Sequence, residues 1–121
     1  QFFFENERFY RFRDACAAAG IEAPIVPGIL PVENFDRMTR FAAGCGTVVP
    51  DWMWKAYDNA ATRAEEELLS LAIATEQCDD LLSNGVGHIH LYTLNRPDLP
   101  YRVCTALGLE PRDSRMGAAC G

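Results

Sequence analysis

Lysine is nearly missing. The 121 residues hold a single one, Lys55, and the 11 basic residues are set against 17 acidic ones, for a formal charge of −6. A surface that tracks a phosphate backbone needs clustered basic side chains. Here Arg8, Arg11, Arg13, Arg37 and Arg40 are interleaved with Glu7, Asp14, Glu33 and Asp36, which argues against nucleic acid as a partner. No apolar run approaches the roughly 18 residues of a membrane helix, and no basic segment followed by an apolar one opens the chain as a secretion signal would. The expectation is a cytoplasmic protein with no membrane partner. CxxC pairs are absent too: Cys16, Cys45, Cys78, Cys104 and Cys120 are odd in number and widely spaced. Zinc sites and disulfide frameworks want tighter, paired spacing. These cysteines read as reduced thiols, mostly small core residues, and no metal site is expected. An initiating Met is also lacking. The opening Gln1-Phe2-Phe3-Phe4 has no cap or turn before it and reads as the end of a buried strand whose beginning lies outside the chain.

What is present is ordinary for a globular protein, with 49% hydrophobic and 23% charged residues, enough for one domain with a modest core. Helical spacing of Phe9, Phe12, Cys16 and Ala19 predicts a first helix over Glu5–Ala19, stopped by Gly20. The apolar run Ile21–Leu30 fits a strand covered on both faces, kept short or kinked by Pro24 and Pro27. A second helix is expected from Glu33 or Asn34, with Phe35, Met38 and Ala42 on one stripe, ending at Gly44-Cys45-Gly46. Asp51 reads as the N-cap of a short helix, Trp52–Tyr57. Thr62 caps a long helix to about Asn84, with Leu68, Leu71, Ala72, Thr75, Cys78 and Leu82 facing inward. Glu65-Glu66-Glu67 is the solvated first turn of that helix, complementing its dipole. In the strand His88–Leu94, Ile89 and Leu91 point one way and His90, Tyr92 and Leu94 the other. A last helix covers Leu99–Leu107, closed by Gly108, and residues 110–121 read as a flexible tail.

Strands alternating with helices imply βαβ crossovers and a parallel sheet, an α/β fold. Two and a half strands cannot close such a sheet, and a whole barrel takes about 250 residues.

Four segments in register carry a resemblance: Gln1-Phe-Phe-Phe-Glu5, Pro27-Gly-Ile-Leu-Pro-Val32 followed by Asn34-Phe35, Pro50-x-Trp52, and Leu91-Tyr-Thr-Leu-Asn-Arg96. Over residues 1 to about 109 the chain resembles the C-terminal part of the bacterial-type 5,10-methylenetetrahydrofolate reductases. The resemblance implies a (β/α)8 TIM barrel, of which residues 1–109 hold the end of strand six, strands seven and eight, and their helices. The rest of the barrel would be supplied by a missing N-terminal half, in a homo-oligomer. The implied activity is flavin-dependent reduction of 5,10-methylenetetrahydrofolate to 5-methyltetrahydrofolate, with FAD as cofactor and NADH or NADPH as co-substrate. Two alternatives stand beside it: a non-catalytic barrel remnant or interaction module, and a folate enzyme acting on another one-carbon group.

The resemblance also implies site residues. Gln1 matches a glutamine that hydrogen-bonds the pterin, and a carboxamide offers the donors and acceptor a pterin edge requires. Phe41 matches a phenylalanine packed against nicotinamide or folate, so Gln1 and Phe41 are expected on the NAD(P)H side as well. Arg37 departs from the pattern, standing where a bacterial relative has a folate-binding glutamine. Arg96 matches an arginine near the p-aminobenzoyl-glutamate portion, where an anionic tail needs a fixed cation. The partner expected for it is a ligand carboxylate or carbonyl, with Asp98 as the structural alternative. Tyr92 and Leu94 share the inward face of that strand, and His90 is expected as a satisfied interior histidine. No catalytic residue is expected here, since the family's proton-donating acid and most FAD contacts lie toward its N-terminus.

Overall fold

The computed structural model describes residues 2–94 and 96–109. Along them run α1 (Asn6–Ala18), β1 (Gly28–Ile29), α2 (Phe35–Cys45), α3 (Asp51–Asp58), α4 (Arg63–Ser83), β2 (His90–Leu91) and α5 (Asp98–Ala106). β1 and β2 pair in parallel, Gly28 opposite His90 and Ile29 opposite Leu91. A parallel bridge joins Phe2 to Gly28, so the sheet runs Phe2 segment, β1, β2.

Alternation along these three segments divides the core in two. Phe2, Phe4, Leu30 and Val32 pack with Phe35, Met38 and Ala42 of α2, Met53 and Tyr57 of α3, and Tyr92. The intervening residues Phe3, Ile29, Ile89 and Leu91 pack the other way, against Phe9 of α1, Ala74, Cys78 and Leu81 of α4, and Val103 of α5. The period-2 geometry of extended chain produces this split. It agrees with the expected division of Ile89 and Leu91 from Tyr92.

Caps explain the helix starts. Asn34 accepts from the Arg37 N–H at 3.0 Å, and Thr62 accepts from the Glu65 N–H at 3.2 Å. Gly46 takes φ 71 and closes α2, with the Thr47 N–H donating to the Ala42 carbonyl at 2.9 Å; a side chain there would be strained.

Several expectations need correction. The strand expected over Ile21–Leu30 is reduced to Gly28–Ile29. Pro24 and Pro27 have no N–H to give a ladder, and Ile21 and Val26 are exposed. The strand expected over His88–Leu94 shrinks likewise to His90–Leu91, the length its partner offers. Asp51 lies inside α3, whose N-cap is Pro50. In α1, Phe12 is exposed while Phe9 and Cys16 are buried. In α4 the buried face is Ser70, Ala74, Gln77, Cys78 and Leu81, whereas Leu68 and Leu82 are exposed. The buried stripe runs through two polar residues whose partners are non-local. The Ser70 hydroxyl bonds the Tyr57 hydroxyl at 2.7 Å, and the Gln77 amide donates to the Phe3 carbonyl at 3.0 Å.

Glu65, Glu66 and Glu67 are each engaged instead of merely solvated. Glu65 accepts from the Ala61 N–H at 2.7 Å, Glu66 accepts from the Phe35 N–H at 3.2 Å, and Glu67 pairs with Arg63 at 3.7 Å. Cys16 and Cys78 are buried free thiols, and burial pushes Cys78 up to about 11. Cys45 is exposed and Cys104 half-buried, so the core placement expected for most of the cysteines holds for two of these four. Cys120 and the tail expected over 110–121 lie outside the described residues.

Candidate functional site

The chain leaves β1 through Leu30-Pro31-Val32-Glu33-Asn34 and leaves β2 through Tyr92-Thr93-Leu94, reaching Arg96 one residue further on. These two exits, with one face of α2, line a cavity of about 440 Å3. It therefore sits at the carboxyl ends of parallel strands, where strand direction and open loops place the sites of such folds.

Phe41 and Tyr92 give its lining an aromatic side, backed by the buried Phe2. Phe2 and Phe41 stack with centroids 5.5 Å apart and planes 12° from parallel. Tyr92 meets Phe2 edge-on at 6.0 Å, and His90 meets Tyr92 edge-on at 4.9 Å. Phe2 is buried, whereas Phe41 is 42% exposed. A flat ring with one face against its neighbour and part of its surface open is placed to stack on a planar ligand.

Its mouth is charged. Arg37, Arg63 and Arg96 line it together with Glu33. Arg96 pairs with Glu33 at 3.5 Å, so Glu33, brought across from the β1 exit, takes the place of the structural alternative Asp98. A turn holds this arginine, with the Arg96 N–H donating to the Thr93 carbonyl at 2.8 Å. Leu94 inside that turn has φ 47, a left-handed conformation that costs a residue with a Cβ about 1 kcal/mol.

Of the expected site residues, Arg37, Phe41, Tyr92, Leu94 and Arg96 all line this one cavity. Gln1 lies outside the described residues; its neighbour Phe2 stacks behind Phe41. His90 is exposed, so the interior histidine expected there is corrected to an exposed position outside the cavity lining. Glu33 and Arg63 were not singled out. Glu33 directly follows the proline-bounded motif, a signal present in the sequence. Arg63 stands 30 residues from Glu33 and carries no local signal.

Parallel strand–helix units with a ligand-sized cavity at the strand exits define a β/α protein of the class whose sites lie at the strand ends. The chain belongs to the methylenetetrahydrofolate reductase family: residues 1–108 match the family described as Methylenetetrahydrofolate reductase. The fold of that family is the TIM barrel, and a helix-rich segment with a small parallel sheet is compatible with part of one. A 5,10-methylenetetrahydrofolate reductase of Pectobacterium carotovorum is 42% identical over 116 residues, covering 95% of this chain and 39% of that protein. The protein of the same name from Escherichia coli K12 is 42% identical over 112 residues, covering 92% and 38%. Methylenetetrahydrofolate reductase (NADH) 1 of Arabidopsis thaliana is 34% identical over 110 residues, covering 90% and 19%. The chain thus spans about two fifths of the length of its bacterial relatives. Among the described residues no helix is long and apolar enough to cross a membrane.

Proposed function

We propose that residues 1–109 form the folate- and nicotinamide-facing part of a cytoplasmic, homo-oligomeric methylenetetrahydrofolate reductase. In this reading they contribute the end of strand six, strands seven and eight, and their helices to a single barrel domain, and 110–121 is its flexible tail. The observation that carries it is one cavity combining a flat aromatic wall with guanidinium groups at its mouth. A folate offers a planar pterin and an anionic glutamate end, and the two halves of the cavity match those two halves of the molecule.

Roles follow from chemistry. Phe41, backed by Phe2, and Tyr92 pack a flat ring and keep water from its face. Arg96 exchanges Glu33 for a ligand carboxylate, and Arg37 adds a second cation at the rim. Leu94 closes the apolar side. Gln1 donates and accepts at the pterin edge, and Gln1 and Phe41 serve nicotinamide when NAD(P)H occupies the same place. FAD, when bound, supplies hydride transfer between the two substrates. The residues described here fit the substrate side of such a site, and the flavin's own contacts are assigned to the part of the barrel that precedes them.

The complete protein tests this. Purified with its flavin, it is expected to oxidise NADH or NADPH and form 5-methyltetrahydrofolate from the methylene substrate. Gln1→Glu should depress folate turnover more than flavin reduction, because a carboxylate cannot donate to the pterin. A protein that reduces its flavin but never turns over folate, or that binds neither, is inconsistent with the proposal.

A further inference from the structure

In a chain of formal charge −6, three arginines from three separate elements meet at one cavity: Arg37 from α2, Arg63 as the first residue of α4, and Arg96 from the turn after β2. Glu33 is the single acid among the described residues lining it, and Glu67, the partner of Arg63, stands outside the lining. Like charges held around a cavity repel, and an anionic ligand relieves that repulsion. One carboxylate is satisfied by one guanidinium fork. Two forks at this mouth, Arg63 and Arg96, can each take one once their own acids are displaced.

The resting partners of these arginines are also easily exchanged. Arg96 pairs with Glu33 at 3.5 Å with its side chain 58% exposed. Arg63 pairs with Glu67 one turn along α4 at 3.7 Å with its side chain 62% exposed. Ion pairs this open to water contribute little, so a ligand carboxylate can displace either at small cost.

We infer that Arg63 is a second anion-anchoring residue, which with Arg96 holds the two carboxylates of a glutamate-type tail, and that Glu33 is the internal stand-in for one of them. This rests on the functional reading above and deepens it, because it makes the site selective for a substrate carrying at least two carboxylates. Glu33 has a defined effect on that selectivity. It keeps Arg96 paired while the cavity is empty, and each tail that binds must displace it.

The test uses the complete flavin-loaded protein and two methylene substrates, one bearing a glutamate tail and one ending at the benzoate without it. Arg63→Ala is expected to raise the KM for the glutamate-bearing substrate about tenfold, the effect of losing one charge-assisted hydrogen bond, and to change that for the tailless one less than twofold. Glu33→Gln and Glu67→Gln, which release Arg96 and Arg63, are expected to lower the KM for the glutamate-bearing substrate severalfold. Equal effects of Arg63→Ala on both substrates would reduce Arg63 to a structural role and overturn the inference. A matching rise in the KM for NAD(P)H would move the anion to the co-substrate's phosphates and overturn it as well. If the unmodified protein turns over neither folate, the functional reading falls first and this inference with it. If it turns over both and Arg63→Ala behaves like it, the inference alone falls.

Discussion

Phe41, proposed above to face the ligand, differs from a core residue of the same type. Phe35, six positions earlier on α2, is buried and sandwiched against Tyr57 with centroids 4.4 Å apart. Phe41 keeps only one face on Phe2 and leaves the other side open. Stacking geometry of this kind is worth about 0.5–1.5 kcal/mol. Phe41→Leu in the complete protein should therefore raise the KM for folate and NAD(P)H roughly two- to tenfold, with only a small change in thermal midpoint. Steady-state kinetics and a melting curve on the same variant separate the outcomes; a large fall in midpoint with kinetics intact would make Phe41 a packing residue. At this scale much of the site was legible. Tyr92, Leu94 and Arg96 followed from one motif that survives as a contiguous string, Leu91–Arg96. What escaped was non-local or conformational: Arg63 joins the cavity from another element, and the left-handed turn at Leu94 occurs without the glycine or asparagine that marks such turns.

Among the elements, α4 collects the others. Its Gln77 holds the Phe2–Phe4 segment through the Phe3 carbonyl, its Ser70 holds α3 through Tyr57, and its Asp80 holds α1. Burial pushes the Tyr57 hydroxyl up to about 12, the nearby charge of Glu66 adding to this and the Ser70 bond opposing it. Ser70→Ala would strand that hydroxyl in the core, which should cost about 1–3 kcal/mol. The double variant Tyr57→Phe, Ser70→Ala removes both polar groups and is expected to recover part of the loss. Denaturant melts of the two single variants and the double one measure the coupling, and strict additivity would contradict the pairing.

Asp80 accepts from the Tyr10 hydroxyl at 2.6 Å and from Asn6 at 2.8 Å, and these two donors hold its carboxyl below the ordinary range. A depressed folded value means stability that is present above the unfolded value of about 3.9 and lost as pH falls through the folded one. Asp80→Asn should thus be less stable than the parent at neutral pH, and the gap should close below about pH 4. A gap independent of pH would assign the effect to geometry instead of charge. The helices carrying these contacts were readable from caps and spacing. The face that α4 buries was not, because its stripe includes Ser70 and Gln77, whose partners exist only once the chain has folded. Strand length was beyond reach for a related reason: a strand extends as far as its neighbour pairs with it, and local propensity does not record the neighbour.

For the whole molecule, the sheet order sets the stability problem. The Phe2 segment and β2 stand at the two ends of the sheet. Beside the Phe2 end lies a second cavity of about 470 Å3, lined by Phe3, Phe12, Ile25, Val26 and Val48 among others, of which Phe12, Val26 and Val48 are exposed. Apolar surface left in water forgoes about 25 cal/mol per Å2 from a total stability of only about 5–15 kcal/mol. Residues 1–121 expressed alone should therefore lack a sharp, cooperative thermal transition as a monomer; calorimetry or near-UV dichroism showing one would refute this. The same two ends make the chain a candidate half for split-protein complementation. On the proposed barrel reading, the Phe2 end, with the apolar residues beside it, and the free edge of β2 are two seams for a separately made polypeptide carrying the remaining strands, and joining at one end alone leaves the other seam open. Reassembly would then be all-or-none in its dependence on both seams, and enzymatic turnover, which needs the cavity at the strand exits, would report only the fully joined state.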